Sequence, residues 1–403
     1  SKALYPVTID PLATSPSWSV QGDQDDSHFG HSVSTAGDVN GDGFSDVIIG
    51  AYLYDGGEFD GGKVFIYFGS SSGLSLSPAC VMEGNQAGAH YGESVATAGD
   101  VNGDGFADIL VGSPDFSSGN NQEGIALLYL GSFSGPGAFP EWTGEGNQDN
   151  AYFGQSVAAA GDVNGDGYSD IIIGSPYFDN GQPDEGAAFV YFGTSTGLNP
   201  SPIVLERDQD SAYFGYSVAS AGDVNGDGYS DIIVGAYLFS NGQVMEGKAF
   251  LYLGLASGLA SSPAWTAEGD QETAQYGKSV ATAGDVNGDG YSDVIVGANQ
   301  YDNVQNNRGK AYLYLGSASG LAATPVWTME GDQQYIDFGT SVATAGDVNG
   351  DGYSDILVGA DYWNAGYGNS AYVFHGGPSG PSATAGWSGY GGNSYDEFGH
   401  SVS

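Results

Sequence analysis

Residues 37–43 read Gly-Asp-Val-Asn-Gly-Asp-Gly, and the same seven residues recur five more times along the chain. The first aspartate of the six copies stands at Asp38, Asp100, Asp162, Asp223, Asp285 and Asp347. The spacings between them are 62, 62, 61, 62 and 62 residues. Self-similarity at a fixed period of this length predicts an array of supersecondary units that bury their cores against one another.

Each unit begins with an aromatic-Gly pair and contains two compact apolar runs. In the first unit these are Phe29-Gly30, then residues 47–50 after the acidic stretch, then residues 64–68 after a variable polar segment. A Pro-x-Trp stretch such as residues 263–265 ends several units. We divide the chain, as a single domain over 1–403, into repeats 29–90, 91–152, 153–213, 214–275, 276–337 and 338–397.

The apolar runs are four to seven residues long, rich in β-branched and aromatic residues, and bounded by Gly, Pro, Asn and Asp, which is the pattern of strands. A helix would need a longer run with a 3.6-residue period. The sequence therefore predicts an all-β protein with four short antiparallel strands per unit. Units of this kind in this number are typical of the blades of a β-propeller; a β-solenoid is the structural alternative.

Both ends of the chain resemble parts of a unit. A seventh aromatic-Gly pair, Phe398-Gly399, lies close to the C-terminus, and residues 2–18 resemble the second half of a unit. We therefore expect a seven-bladed propeller whose incomplete seventh blade combines residues 1–28 with 398–403, because pairing of the two ends removes exposed sheet edges. The alternatives are six blades, or a fragment of a longer protein.

The acidic stretch has the ligand spacing of a calcium loop. Over residues 38–46, oxygen-bearing side chains stand at positions 1, 3, 5 and 9, a glycine at position 6 allows the sharp turn, and the carbonyl of position 7 can point inward. Ca²⁺ needs six to eight oxygen ligands, whereas a softer metal would need Cys or His. We expect about six Ca²⁺ ions, one per complete repeat.

The predicted ligands have the same spacing in every repeat, with position 7 contributing its backbone carbonyl. They are Asp38, Asn40, Asp42, Phe44 and Asp46; Asp100, Asn102, Asp104, Phe106 and Asp108; Asp162, Asn164, Asp166, Tyr168 and Asp170; Asp223, Asn225, Asp227, Tyr229 and Asp231; Asp285, Asn287, Asp289, Tyr291 and Asp293; and Asp347, Asn349, Asp351, Tyr353 and Asp355.

Two alternatives apply to these loops. They could be metal-free Asp-Gly turns, but three carboxylates within nine residues repel one another unless a cation is present. They could belong to EF-hands or dockerin modules, but there a helix follows the loop, and here a short strand-like run follows. A hairpin loop has no helix pair to open, so we expect the calcium to be structural rather than signalling.

Charge restricts the possible partners. Lys and Arg total 7 against 49 Asp and Glu, for a formal net charge of −42. This balance disfavours nucleic acid and an anionic membrane surface, and no apolar run is long enough for membrane insertion. The five histidines do not recur together in the sequence, and no Ser-His-Asp or Cys-His pattern is present. The interpretation is therefore that the protein is not an enzyme and has no catalytic residues.

The aromatic-Gly pair, the Asp-x-Asn-x-Asp-Gly-x-x-Asp loop and the Gly-Ala/Ser segment that starts at Gly50 in the first unit together resemble the FG-GAP repeat family, best known from integrin α-subunits. The resemblance implies a seven-bladed propeller with calcium between the first two strands of a blade and an adhesive or ligand-binding role on the opposite face. High similarity between the units suggests a secreted prokaryotic relative. The resemblance does not extend to a particular integrin ligand.

Variable loops after the second strand carry aromatic residues suited to recognition. The candidates are Tyr52, Tyr54, Phe116, Tyr177, Phe178, Tyr237, Phe239, Tyr301, Tyr362 and Trp363; the alternative is that they cap the core of each blade. The leading hypothesis is an extracellular or cell-surface adhesion propeller that binds a protein or glycan ligand, and further domains of a longer surface protein are candidate partners. The other hypotheses are a structural module of a larger assembly and a carbohydrate-active enzyme.

Overall fold

The computed structural model describes residues 17–302, 307–361, 369–391 and 398–403. Within them the chain forms six four-stranded antiparallel sheets, and each sheet takes its strands in chain order. The first strands are Phe29–Gly37, Ser94–Gly99, Ser156–Gly161, Phe214–Gly222, Tyr276–Gly284 and Phe338–Gly346. The second strands are Asp46–Ala51, Asp108–Ser113, Asp170–Ser175, Asp231–Ala236, Asp293–Ala298 and Asp355–Ala360.

The outer half of each sheet is built in the same way. The third strands are Lys63–Tyr67, Ile125–Tyr129, Ala187–Tyr191, Lys248–Tyr252, Lys310–Tyr314 and Ser370–Phe374. The fourth strands are Cys80–Glu83, Trp142–Glu145, Ile203–Glu206, Trp265–Glu268, Trp327–Glu330 and Trp387–Tyr390. Two small ribbons pair Gly193–Thr194 with Gly197–Leu198, and Gly254–Leu255 with Gly258–Leu259.

The sheets pack face to face around an axis, which makes them the blades of a propeller. First strands of consecutive blades contact one another, so they line the axis. The second strands are buried on both faces; all six residues of Asp231–Ala236 are buried. Each interface between neighbouring blades has its own apolar core, as between blades 3 and 4, where Ile172 and Val190 pack with Phe214 and Val234. Burial on both faces explains why these strands are continuous apolar runs instead of alternating ones.

A contact between two glycines sets the spacing of neighbouring blades. A Cβ atom placed on Gly174, in the second strand of blade 3, would lie 1.9 Å from the carbonyl oxygen of Gly215, the glycine of the next aromatic-Gly pair. The same contact joins Gly50 to Gly92 and Gly112 to Gly154. Within blade 3, the amide of Gly154 donates to the carbonyl of Gly174 at 3.0 Å, so the two kinds of glycine are also joined inside a blade. Backbones approach this closely only because both residues lack a side chain.

The described residues form six blades, which agrees with the six-blade alternative and not with the prediction of seven. The N-terminal part of the predicted closing blade, residues 1–16, lies outside the described residues, as do residues 392–397. Residues 398–403 are described, and they form no strand. A short terminal segment cannot by itself supply the four paired strands of a blade.

The two described terminal segments nevertheless make contacts of the kind that blade residues make. Trp18 packs edge-on against Tyr67 of blade 1 at a centroid distance of 5.2 Å, as Trp265 of blade 4 packs on Tyr314 of blade 5 at 4.8 Å. At the other end, Ser401 Oγ accepts the amide of Val33 at 3.1 Å. Residues 398–403 thus lie between blade 6 and blade 1.

Replacing Gly174 with alanine is expected to destabilise the fold by about 3 kcal/mol or more, because the new methyl group would meet a backbone carbonyl that cannot move independently. Gly119 is the control, since a Cβ there meets nothing within 4 Å and its replacement should change stability by about 0.5 kcal/mol or less. Urea unfolding measures both. Equal stability of the two variants would show that the glycine contact does not set the blade spacing.

Candidate functional site

Six acidic loops lie at one end of the propeller. Each connects the first strand of a blade to the second; in blade 1 it starts after Gly37 and ends at Asp46. The register shifts between Thr35 and Gly37, directly before the loop, and the same irregularity precedes the other loops. Regular pairing of the first and second strands therefore ends at the same position in every blade, and the loop begins there.

The side-chain oxygens at positions 1, 3 and 5 converge. In blade 1 the amide of Asp42 donates both to Asp38 Oδ1 at 3.0 Å and to Asn40 Oδ1 at 2.9 Å, so these two oxygens lie next to the same nitrogen. Asn40 Nδ2 in turn donates to Asp42 Oδ2 at 3.1 Å. Three oxygen-bearing side chains are thus gathered over one short turn.

The same arrangement is present in all six loops. The shared amide of position 5 belongs to Asp42, Asp104, Asp166, Asp227, Asp289 and Asp351. Glycines at position 6 adopt a positive φ near 90° in each copy, as Gly43 does at 89°. A non-glycine residue would be strained there, which explains why the sequence places glycine at this point.

The aspartate at position 9 has a different role from the others. Asp108 is fully buried, and its Oδ2 accepts the amide of Val101 at 2.9 Å while its Oδ1 accepts the amide of Gly131 at 2.9 Å. Gly131 follows the third strand, so this carboxylate connects the loop to the segment after the third strand of the same sheet. The sequence predicted only a metal ligand here; the glycine that follows each third strand was the signal for the second role. A carboxylate has about four lone-pair sites, so two amides leave room for a cation.

Burial makes these carboxylates electrostatically unfavourable without a cation. Burial raises the pKa of Asp108 to about 7, although the two amide donors lower it, and the carboxylates of Asp104 and Asp100 raise it further. The pKa is also raised to about 7, for the same reasons, at Asp170, Asp231 and Asp293. The donor set of converging hard oxygens around an uncompensated negative charge fits Ca²⁺.

The loops of blades 1 to 5 are also held by the next blade. The carbonyl of Asp100 accepts the amide of Ser169 at 3.0 Å, and the Tyr168 ring lies over Gly103. A Cβ on Gly103 would be 2.8 Å from Tyr168 Cε1. The position 7 residue was expected to contribute its backbone carbonyl; its side chain has this further role of covering the preceding loop. Loop geometry and blade packing are therefore coupled.

Replacing Gly103 with alanine should destabilise the protein by about 1–3 kcal/mol more than replacing Gly350, because only the first change places a methyl group against an aromatic ring. The two glycines occupy the same position of the repeat, with φ of 74° and 73°, and a Cβ on Gly350 meets nothing within 4 Å. Thermal unfolding of both variants measures the difference. Equal losses would mean that backbone strain alone is involved.

At the end of the propeller away from the acidic loops, the ends of the first and second strands surround the axis. An axial cavity of about 210 Å³ is lined by serines and by the residues that precede them in the chain. The serines are identical in all the repeats and bridge neighbours, as when the amide of Val157 donates to Ser94 Oγ at 3.0 Å. The preceding residues differ: His31, Glu93, Gln155, Tyr216, Lys278, Thr340 and His400. This face therefore combines a repeated scaffold with variable side chains.

Four of the five histidines meet on this face, although they are scattered in the sequence. The ring of Tyr52 contacts His28, His31 and His90 at centroid distances of 4.5–5.2 Å, and His31 packs on His400 at 4.4 Å. Burial and, to a smaller extent, the neighbouring histidines lower the pKa of His31 to about 3. The fifth histidine, His375, lies beside the loop carboxylate of Asp355. The arrangement of the blades around the axis, rather than any local pattern, brings the four together.

Tyrosines form a second cluster on this face, across blades 2 to 4. Tyr177 contacts Tyr213 at a centroid distance of 4.7 Å, and Tyr213 stacks on Tyr237 at 5.8 Å. Lys278 Nζ lies 4.0 Å from the centre of the Tyr216 ring and 4.5 Å from that of Tyr237. The cluster thus presents aromatic rings together with a cation.

The predicted aromatic ligand residues divide into two groups. Tyr52, Tyr177 and Tyr237 belong to the axial clusters. Six others stand four residues after the glycine of the second strand: Tyr54, Phe116, Phe178, Phe239, Tyr301 and Trp363. Of these, Tyr54, Phe178 and Phe239 pack on the third-strand aromatic of their own blade. In five blades this residue accepts, through its carbonyl, the amide of a glycine before the third strand; they are Tyr54, Phe116, Phe178, Phe239 and Tyr301. These five fit the alternative of core caps. Tyr362 and Trp363 lie outside the described residues.

Comparison with known proteins agrees with this architecture. The model of the FG-GAP repeat matches residues 29–67, 91–129, 153–191, 214–251, 276–314 and 338–374, which together make up more than half of the chain. Similar proteins include integrin alpha-V of Gallus gallus, 35% identical over 57% of this chain, and integrin alpha-PS2 of Drosophila melanogaster, 34% identical over 56%. The aligned region covers 22% and 16% of those two proteins.

The fold and its repeated loops define the class as an all-β propeller with four-stranded antiparallel blades. Within that class, the chain belongs to the FG-GAP repeat family. It spans about a fifth of the length of the curated relatives it matches. In the described part of the chain, no helix has the length and apolar character needed to cross a membrane.

Proposed function

We propose that this protein is a calcium-stabilised binding propeller of the cell surface or extracellular space. The six acidic loops hold one Ca²⁺ each, and the axial face at the opposite end binds a protein or glycan. Millimolar extracellular calcium suits sites of this kind. The proposal assigns binding, and no catalysis, to the chain.

The observation that supports calcium is the convergence of side-chain oxygens in every loop; His375 lies beside the blade 6 carboxylate of Asp355 at 3.2 Å, and the other five loops have no described ion pair. Among the described residues, the lysine ion pairs are with fourth-strand glutamates: Lys63 with Glu83, Lys248 with Glu268 and Lys310 with Glu330. The described arginines and lysines form no ion pair with a loop aspartate. Six Ca²⁺ would add +12 to a formal charge of −42 and leave −30, which relieves the self-repulsion of the compact state.

Calcium titration by calorimetry should give about six ions, and the Asp166→Ala variant should bind one fewer. At a free calcium concentration of about 100 times the Kd, each site stabilises the folded state by about 2.7 kcal/mol, so chelation should lower the Tm strongly. Asp25, an exposed aspartate outside the loops, provides the control variant Asp25→Ala, with unchanged stoichiometry. Binding of no calcium by the folded wild-type protein would refute this part of the proposal.

The observation that supports ligand binding is the concentration of variable residues on the axial face. Residues that follow the aromatic-Gly pairs differ from blade to blade, while the serines next to them and the calcium loops are repeated. Variable side chains on a rigid repeated scaffold are typical of recognition surfaces. The tyrosines suit either partner class, because Tyr offers a large apolar ring with a polar tip.

Replacing Tyr216 with alanine should weaken ligand binding about tenfold or more, because the cluster around it supplies the aromatic contact area. Phe139, which is 85% exposed between the third and fourth strands of blade 2, is the control for loss of an exposed aromatic. Arrays of glycans and of extracellular proteins, probed with both variants in saturating calcium, measure the effect. A loss of binding only in Phe139→Ala would place the ligand elsewhere. Equal binding by the wild-type protein and Tyr216→Ala would place the ligand away from the tyrosine cluster. No binding by the wild-type protein to any array member would point to the purely structural module.

A further inference from the structure

Three metal-ligating side chains meet at the rim of the axial cavity, far along the blades from the calcium loops. His90 Nδ1 lies 2.6 Å from Asp115 Oδ2 and 3.5 Å from Glu93 Oε2. One ligand atom from each of the three residues lies within 4.8 Å of the other two. Glu93 also lines the axial cavity.

The backbone fixes the relative positions of the three side chains. His90 has a left-handed φ of 56°, and the amide of Glu93 donates to the His90 carbonyl at 3.1 Å, so a tight turn places both side chains together. Asp115 follows the second strand of the same blade, Asp108–Ser113. The side chains of Glu93 and Asp115 are only 16% and 13% exposed.

Both carboxylates are oriented by a second layer of amides. Gln155 Nε2 donates to Glu93 Oε1 at 2.8 Å, and Gln122 Nε2 donates to Asp115 Oδ1 at 2.5 Å. The outer oxygen of each carboxylate is thus held by a glutamine, which leaves the inner oxygen directed towards His90. Second-layer hydrogen bonds of this kind orient the ligands of metal sites.

We propose that His90, Glu93 and Asp115 form a site for Zn²⁺, separate from the calcium loops. One imidazole nitrogen and two carboxylate oxygens match the ligand preference of Zn²⁺, and three protein ligands leave a coordination position for water or for an oxygen of a bound ligand. A nitrogen ligand disfavours Ca²⁺, which takes oxygens. Ca²⁺ would therefore bind at the loop end of the propeller, and Zn²⁺ at the axial end.

Blade 1 supplies an internal control. His28 occupies the repeat position of His90, and its φ of 52° is also left-handed. The positions equivalent to Glu93 and Asp115 are His31 and Leu53, so the carboxylates are missing from that unit. The site is specific to blade 2, and His28 should not be needed for it.

The test is equilibrium dialysis of the full chain against Zn²⁺ in saturating Ca²⁺, with the retained metals measured by atomic emission. We expect one Zn²⁺ per chain. His90→Gly should weaken Zn²⁺ binding tenfold or more, and His28→Gly should leave it unchanged; glycine suits both left-handed backbones. The isosteric Glu93→Gln should weaken binding similarly, and Gln155→Leu by about tenfold. Calcium content and Tm of the variants check that each one is folded.

Co²⁺ substitution gives a second readout, since its absorption bands report a low-symmetry site in the wild-type protein and should be lost in His90→Gly. Failure of the wild-type chain to retain Zn²⁺ would overturn the proposal and leave an ion pair between His90 and its two carboxylates. Equal Zn²⁺ binding by wild type and His90→Gly would also overturn it, as would an equal loss in His28→Gly, which would assign the metal to the histidine cluster. None of these outcomes depends on whether the loops bind calcium.

Discussion

The rest of the structure depends on the hydrogen bonds accepted by the buried aspartate at the start of each second strand. Asp170, for example, accepts the amide of Val163 in its own loop and the amide of Gly193 beyond the third strand. The carboxylate thus holds the loop in shape and links it to the outer half of the blade. Burial of a carboxylate is costly unless its oxygens are hydrogen-bonded, and here both are.

The loops that these aspartates hold in shape also contact the following blade. The carbonyl of Asp162 accepts the amide of Ser230, and the ring of Tyr229 covers Gly165. At the other end of the same strands, the glycine contact and the serine hydroxyls join neighbouring blades. Each of the first five sheets is therefore fixed to the next at both ends, so that side chains around the axis can differ without loss of the scaffold.

The two ends of the propeller consequently present different chemistry. Repeated oxygens at the loop end suit a hard cation. The axial end carries four histidines, a group of tyrosines and the carboxylates of Glu93 and Asp115. The proposed structural metal at one end and the proposed recognition surface at the other are compatible because the strands between them separate the two sets of side chains.

The sequence by itself determined the repeat, the strands and the acidic loops, because these depend on local spacing: the interval of 61 or 62 residues, short apolar runs, and oxygens on alternate residues of one turn. The sequence also shows a glycine at position 103. It does not show that an aromatic ring covers this glycine, because the ring belongs to the next blade. The core caps could be recognised by their fixed place, four residues after a glycine, which Tyr54 and Phe239 share.

Only the tertiary structure decided which residues meet across the ring. His31 and His400 are in contact although nearly the whole chain separates them, and no pattern in the sequence indicates this, because the contact exists only once the ring of blades brings the ends together. The number of blades was decided at the same level. The described residues of the two terminal segments, which resemble parts of a repeat, make blade-like contacts, yet the described part of the chain forms six four-stranded sheets. Strand pairing is a property of the assembled sheet, whereas the resemblance is a property of each segment alone.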